Sequence, residues 1–206
     1  DWNPAEIIGT KPRPLATSLY KLLIMDDVWA KQRAEYGYKD VRPQKLLYSF
    51  SGQPYVNVTA SFSSFIPQKI DHDLSNKLVD FYLEWLINNP HLHDKIEFDV
   101  VPTCFTFDFR KWEYRLIGGG FTNHEIQTFR NELKTITSNA IKRNASYLEK
   151  IHLCEARFEQ IKASNLNSKE KTELLLEDCK ANGTLPFAHL ARSAFIAVNL
   201  LKSAIT

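Results

Sequence analysis

Arg13, Arg33, Arg42 and Arg192 are the side chains in this sequence best suited to hold an anion. A guanidinium stays charged and offers a rigid fork of N–H donors that matches a phosphate or carboxylate. The four act together only if the fold gathers them; on the surface, each would make an ordinary weak ion pair. The other chemistry-bearing residues form no signature. His91 and His93 have a spacing that brings two metal ligands together on a strand, but "NPHLHDK" reads as a helix exit with no third ligand nearby. "IGGGF" lacks the spacing and the lysine of a phosphate-binding loop. There is no GxSxG elbow, and Cys104, Cys154 and Cys179 are too few and too far apart for a disulfide framework or a zinc site. No metal site and no catalytic residue is expected. His152 and His189 fall on helical patterns, where a structural histidine is the ordinary outcome.

The bulk properties set further bounds. The 206 residues carry 26 basic and 24 acidic side chains, a net charge of +2 with no long block of one sign. That balance gives no electrostatic reason to expect nucleic acid or an anionic membrane as partner. Apolar residues make up 44% of the chain, enough for a real core, and the longest apolar run, "FIAVNLL", falls short of the roughly 20 residues that span a bilayer. With its isolated cysteines, the chain is expected to be soluble and cytoplasmic.

The elements that must position these residues follow from periodicity. From Pro14, Leu15, Leu19, Leu22 and Leu23 recur at helical spacing up to a cap at Gly37. "LLYSFSGQPYVNVTASF" then changes to a period of two, with Val56, Val58, Ala60 and Phe62 alternating with polar residues after a "SGQP" turn, and predicts a half-buried hairpin. A helix from Asp71 ends at "NNP"; Phe105, Phe107 and Phe109 alternate like another strand. "TNHE" supplies a capping box, Thr122 with Glu125, for a long helix reaching Ala163. "SNLNSKE" turns the chain into a shorter helix that "NG" at Asn182 and Gly183 stops, and a last helix starts near Thr184 with Pro186 in its first turn. The expectation is a mainly α (α+β) fold over residues 1–206 as one domain. Residues 1–120 hold helices and a small antiparallel sheet, and residues 121–206 are helical with a long hairpin.

The opening run is dense in large side chains, Trp2, Pro4, Ile7, Ile8, Pro12 and Pro14, and begins at Asp1 without Met, which reads as a piece of a larger protein. "DWNPAEIIGTKPRPLATSLYK", "VWAKQRAEYGY", "SGQPYVNVTASFSSFIP" and "CKANGTLPFAHLARSAFIAVNLLKS" together resemble the central region of bacterial phosphoenolpyruvate synthase-like proteins. These are PEP-utilising phosphotransferases related to pyruvate phosphate dikinase and the rifampicin phosphotransferases. The resemblance implies a full-length protein with an ATP-grasp domain using ATP and Mg, a swivelling phosphohistidine domain and an acceptor-binding part. The ATP-grasp segment and the phosphohistidine loop have no counterpart in these residues; His124 of "GGGFTNH" sits in the capping box and is not assigned as the phosphocarrier. The chain is then the central, acceptor-binding or docking domain, inactive alone and without a cofactor of its own.

On that reading Arg13 and Arg192 contact the anion, with Thr17, Tyr36 and Asn57 as polar neighbours. Asp1, Trp2, Asn3 and Glu6 face the neighbouring ATP-grasp or phosphohistidine domain. Two other readings stay open: a purely structural scaffold between those domains, and a stand-alone small-molecule-binding domain in which Trp29, Trp85 and Trp112 line an apolar pocket.

Overall fold

A computed structural model describes residues 4–205, without the side chains of Phe98, Arg143 and Asn144; Asp1, Trp2 and Asn3 lie outside the described residues. After a short helix α1 (Pro4–Ile8), α2 (Pro14–Tyr20) begins with proline in its first turn, where the missing N–H costs nothing. The single helix expected from Pro14 to Gly37 is interrupted. Lys21–Met25 form a π-helical turn, Asp27 leaves helical geometry, and α3 (Val28–Tyr36) starts afresh. Arg42 at 3.0 Å and Lys180 at 3.7 Å hold Asp27 at this break. Gly37 ends α3 as expected, at φ 116, in the left-handed region that glycine enters without a steric cost.

The sheet is smaller than its sequence pattern suggests. β1 (Leu47–Phe50) and β2 (Gln53–Val56) pair antiparallel with Tyr48 opposite Tyr55, through a two-residue turn in which Ser51 and Gly52 both have positive φ. The alternation through Phe62 is not strand. Asn57 caps a helix, α4 (Val58–Ser63), its Oδ1 accepting from the Ala60 N–H at 3.1 Å. Ala60, Ser61 and Phe62 are buried in succession, as a half-buried strand does not allow. The second expected strand is also absent: Phe105, Phe107 and Phe109 lie in an irregular segment. There the Phe105 N–H donates to Thr137 Oγ1 at 2.9 Å and the Phe107 N–H to Ser203 Oγ at 3.1 Å. Hydroxyls from two helices thus take the place of a ladder partner, which satisfies the backbone without a sheet.

The helical half follows the pattern closely. α5 (His72–Asn88) is capped by Asp71 and ends before Pro90; α6 (Arg110–Gly118) leads through a glycine turn into α7 (Asn123–Ala163). Thr122 and Glu125 form the full capping box, with the Thr122 N–H on Glu125 Oε2 at 2.6 Å and the Glu125 N–H on Thr122 Oγ1 at 3.3 Å. α8 (Ser168–Asp178) returns along α7, but "NG" does not stop it. The chain continues through a π-helical segment, Cys179–Thr184, directly into α9 (Leu185–Ile205). Pro186 gives the reason: it lacks the N–H for a regular helical bond and its ring clashes with the carbonyl four residues back, and the wider turn relieves both.

The molecule is therefore mainly α, with a small antiparallel hairpin and a long helical hairpin, as the sequence implied. Its larger core joins α4, α5, α6 and α7 through Phe62, Leu78, Tyr82, Leu116, Phe129 and Leu133. A smaller cluster, including Tyr20, Met25, Trp29 and Leu46, sits under the N-terminal helices. One helix, Ser168–Ile205, meets the length and composition of a membrane span. It also carries His189 and Arg192, whose partners lie on other elements of this domain.

Candidate functional site

Three elements each drive one charge into the interior. α3 carries Arg33, the π-helical segment Ile96–Val100 carries Glu97, and α9 carries Arg192; all three side chains are buried. A lone buried charge is severely penalised, so such groups meet in an ion-paired cluster. Arg192 grips Glu97 with both Nη atoms, Nη2 donating to Oε1 at 3.0 Å and Nη1 to Oε2. Arg33 Nη2 stands 3.9 Å from Glu97 Oε1, while its Nη1 donates to the hydroxyl of Ser64 and, at 3.4 Å, to the carbonyl of Ser61. Phe65 presents its ring to both guanidiniums, 3.7 Å from Arg33 and 5.0 Å from Arg192.

Among the described residues, two guanidiniums share this one carboxylate. Burial alone would raise Glu97, but the opposing charges, Arg192 above all and Arg33 least, hold the carboxyl well below its usual 4.5. Burial likewise opposes the Arg192 charge, and Glu97 overcomes it. Arg33 is pulled down to about 9, chiefly by burial, with Glu97 opposing and Arg192 adding repulsion. Arg33 stays protonated at neutral pH.

Against this cluster lies a cavity of about 90 Å³ between α3, the base of the hairpin and α9. Its walls are mainly apolar, among them Met25, Val56 and Ala191, and Arg33, Glu97 and Arg192 supply the polar part. Three of its lining residues have N–H groups with no acceptor: Trp29 Nε1, Gln32 Nε2 and Arg192 Nε. Each unsatisfied buried donor costs about 1–3 kcal/mol. Two guanidiniums and one carboxylate thus stand beside a mainly apolar space, an arrangement that favours an anion over a cation there.

The layer beside the cavity is aromatic. His189 is fully buried, its Nε2 2.9 Å from Glu35 Oε2, and its ring stacks on Tyr147 at 3.9 Å and Tyr36 at 5.5 Å. The Tyr36 hydroxyl meets Ser193 Oγ at 2.5 Å. Burial pushes the Cys104 thiol up to about 12, so it is no nucleophile.

Of the residues singled out from sequence, Arg192 lines the cavity with Arg33, and Tyr36 stands in the adjoining layer. Arg13, Thr17, Asn57 and Glu6 do not line it. Arg13 is exposed at the start of α2 and its carbonyl accepts from Thr17 Oγ1 at 3.2 Å; Asn57 is occupied as the α4 cap; Glu6 is exposed on α1. Arg42 pairs on the surface with Asp40 at 2.6 Å and Asp27 at 3.0 Å. Trp29 lines the cavity, Trp85 a separate groove, and Trp112 is core, so the three tryptophans share no pocket. His91 and His93 are exposed, and no group of three or more metal-capable side chains occurs among the described residues. Sequence reasoning missed Glu97 and Gln32. An acid placed inside the apolar run "KIEFDVV" was the one available signal for Glu97. Comparison with protein-family models, with curated proteins and with solved structures gave no match.

Proposed function

We propose that this chain is a small-acid-binding domain, the acceptor-binding part of a phosphoenolpyruvate synthase-like phosphotransferase, with the acid seated in the cavity beside Arg33, Glu97 and Arg192. The observation that carries the reading is a buried pair of guanidiniums sharing one carboxylate beside a mainly apolar pocket, with lining residues whose N–H groups have no acceptor. A monoanionic carboxylate answers both the charge and the shape: the guanidiniums attract it, and its carbon chain fills the apolar part.

Size limits the acid. A cavity of about 150 Å³ takes benzene, so 90 Å³ has room for roughly four non-hydrogen atoms, the size of acetate or of the carboxylate head of a longer acid such as propionate or pyruvate. The phosphotransferase context rests on the resemblance, and one feature supports it. Most cavity-lining residues, Trp29, Arg33, Val56, Thr184 and Arg192 among them, belong to three of the four stretches that carry that resemblance, although these are far apart in the chain. In that context the neighbouring ATP-grasp and phosphohistidine domains would use ATP and Mg and bring the phosphoryl group, and this domain would hold the acceptor. The free cysteines fit a cytoplasmic setting.

A thermal-shift series tests the binding directly. Saturating acetate, propionate, pyruvate or lactate should raise Tm by about 5–10 °C, because a ligand at about 100 times its Kd adds about 2.7 kcal/mol. Propionamide, which keeps the shape and loses the charge, should not. If no carboxylate moves Tm, or the amide works as well, the reading is wrong.

A further inference from the structure

A second opening, independent of the acid cavity, runs between the outer face of α5 and α6. It is an open groove of about 780 Å³, within the range of ligand sites and far larger than the first cavity. α5 contributes a ridge of Asp80, Glu84 and Asn88, successive fourth residues that line up over about 12 Å of helix. All three are exposed, and neither carboxylate is paired with another described residue. Tyr114, 62% exposed, and Arg115 form the opposite wall, with Phe81, Trp85 and Phe121 between the two.

The groove is constructed to hold its shape. Arg115 is clamped between the rings of Trp85, 4.9 Å away, and Trp112, 4.8 Å away, and donates to the Asp99 carbonyl at 3.2 Å. Gly119 closes one end so tightly that a Cβ there would stand 2.6 Å from the Phe81 ring. Trp85 lines the floor with an indole N–H that is buried and has no acceptor.

Charge then selects the ligand class. Asp80 and Glu84 repel an anion, the fixed Arg115 repels a cation, and Lys77, the other cation on the wall, is already bound to Glu125 at 2.9 Å. What fits is a neutral molecule with apolar faces for Tyr114 and Trp85. Its edges must carry hydroxyls that donate to the carboxylates and accept from the guanidinium and amide N–H groups. We infer that this groove binds a neutral saccharide, and its length accommodates more than one linked ring.

The test uses the 206-residue chain and a panel of maltotriose, cellotriose, chitotriose and mannotriose, with oligouronates and a lysine-rich peptide as charged comparators. Binding is read by calorimetry and by tryptophan fluorescence. At least one neutral sugar should bind, and Tyr114→Ala and Glu84→Gln, both at exposed positions, should each weaken it about tenfold or more without lowering Tm. Pyruvate should not compete, which separates this site from the acid cavity. The inference is overturned if no neutral sugar binds at about 10 mM, if both variants bind it unchanged, or if only a charged comparator binds.

Discussion

Replacing Glu97 by glutamine keeps the volume of the side chain and removes the carboxylate that Arg33 and Arg192 share. At an effective dielectric near 20, a pair of unit charges 3.0 Å apart is worth about 5.5 kcal/mol and one at 3.9 Å about 4 kcal/mol, the separations of Glu97 from Arg192 and Arg33. Both attractions vanish in the variant, and two guanidiniums are left facing each other in the interior. The carboxylate no longer has to be desolvated, which returns several kcal/mol, so the net loss is about 3–5 kcal/mol. Arg33→Met is the informative comparison. It removes one attraction together with the repulsion between the arginines, leaves a neutral Glu97–Arg192 pair, and leaves the Ser61 carbonyl still bonded by Ser64 Oγ at 2.5 Å. Its cost should be only about 1–2 kcal/mol. Urea unfolding followed by circular dichroism reads both: with m near 2 kcal/mol/M, Glu97→Gln should move the midpoint down by about 2 M and Arg33→Met by less than about 1 M, with m unchanged. A Glu97→Gln loss under about 1 kcal/mol, or an Arg33→Met loss exceeding it, would refute the picture of two buried cations on one carboxylate.

Three further outcomes follow from the same structure. Because Glu97 is held below its usual 4.5, its stabilisation is complete above that pH and is lost as pH falls toward its folded value; stability should decline from about pH 4.5 downward, and Glu97→Gln should flatten that acid limb. Thr122→Ala removes half of the α7 capping box and should cost about 1 kcal/mol in urea unfolding, whereas Thr122→Ser should cost almost nothing. Gly119→Ala forces the Phe81 ring away from a Cβ otherwise 2.6 Å distant; crystallography should find Phe81 displaced and the α5–α6 groove altered, with the acid cavity unchanged.

What the sequence made legible was local. The Thr122–Glu125 box, the helix ending at "NNP" and the end of α3 at Gly37 each depend on residues within a few positions of one another, and each stands as expected. Where the pattern misled, a distant partner had decided the matter. Thr137 and Ser203 take up the backbone of Phe105 and Phe107 and remove the need for a strand, and nothing near those phenylalanines announces either hydroxyl. The period-two run through Phe62 is shared between the end of β2 and a helix of six residues, too short for periodicity to separate the two. The site behaved in the same way. Arginine chemistry offered four candidates and favoured Arg13 and Arg192; pairing Arg33 with Arg192 instead required Glu97, 64 residues after the first and 95 before the second. No spacing rule joins residues at such distances. Asn57 is spent on capping α4, and Arg13 is exposed at the start of α2, away from the cluster.

The account depends most on the acid cavity, and Ala191→Leu tests it most directly, since Ala191 lines that space on α9 and the larger side chain would fill it. Calorimetric titration of propionate and pyruvate into the natural chain and the variant should give binding to the first and none to the second, while Tm of the unliganded variant stays at or above that of the natural chain. Binding that survives in the variant, or no carboxylate binding to the natural chain, would contradict the assignment.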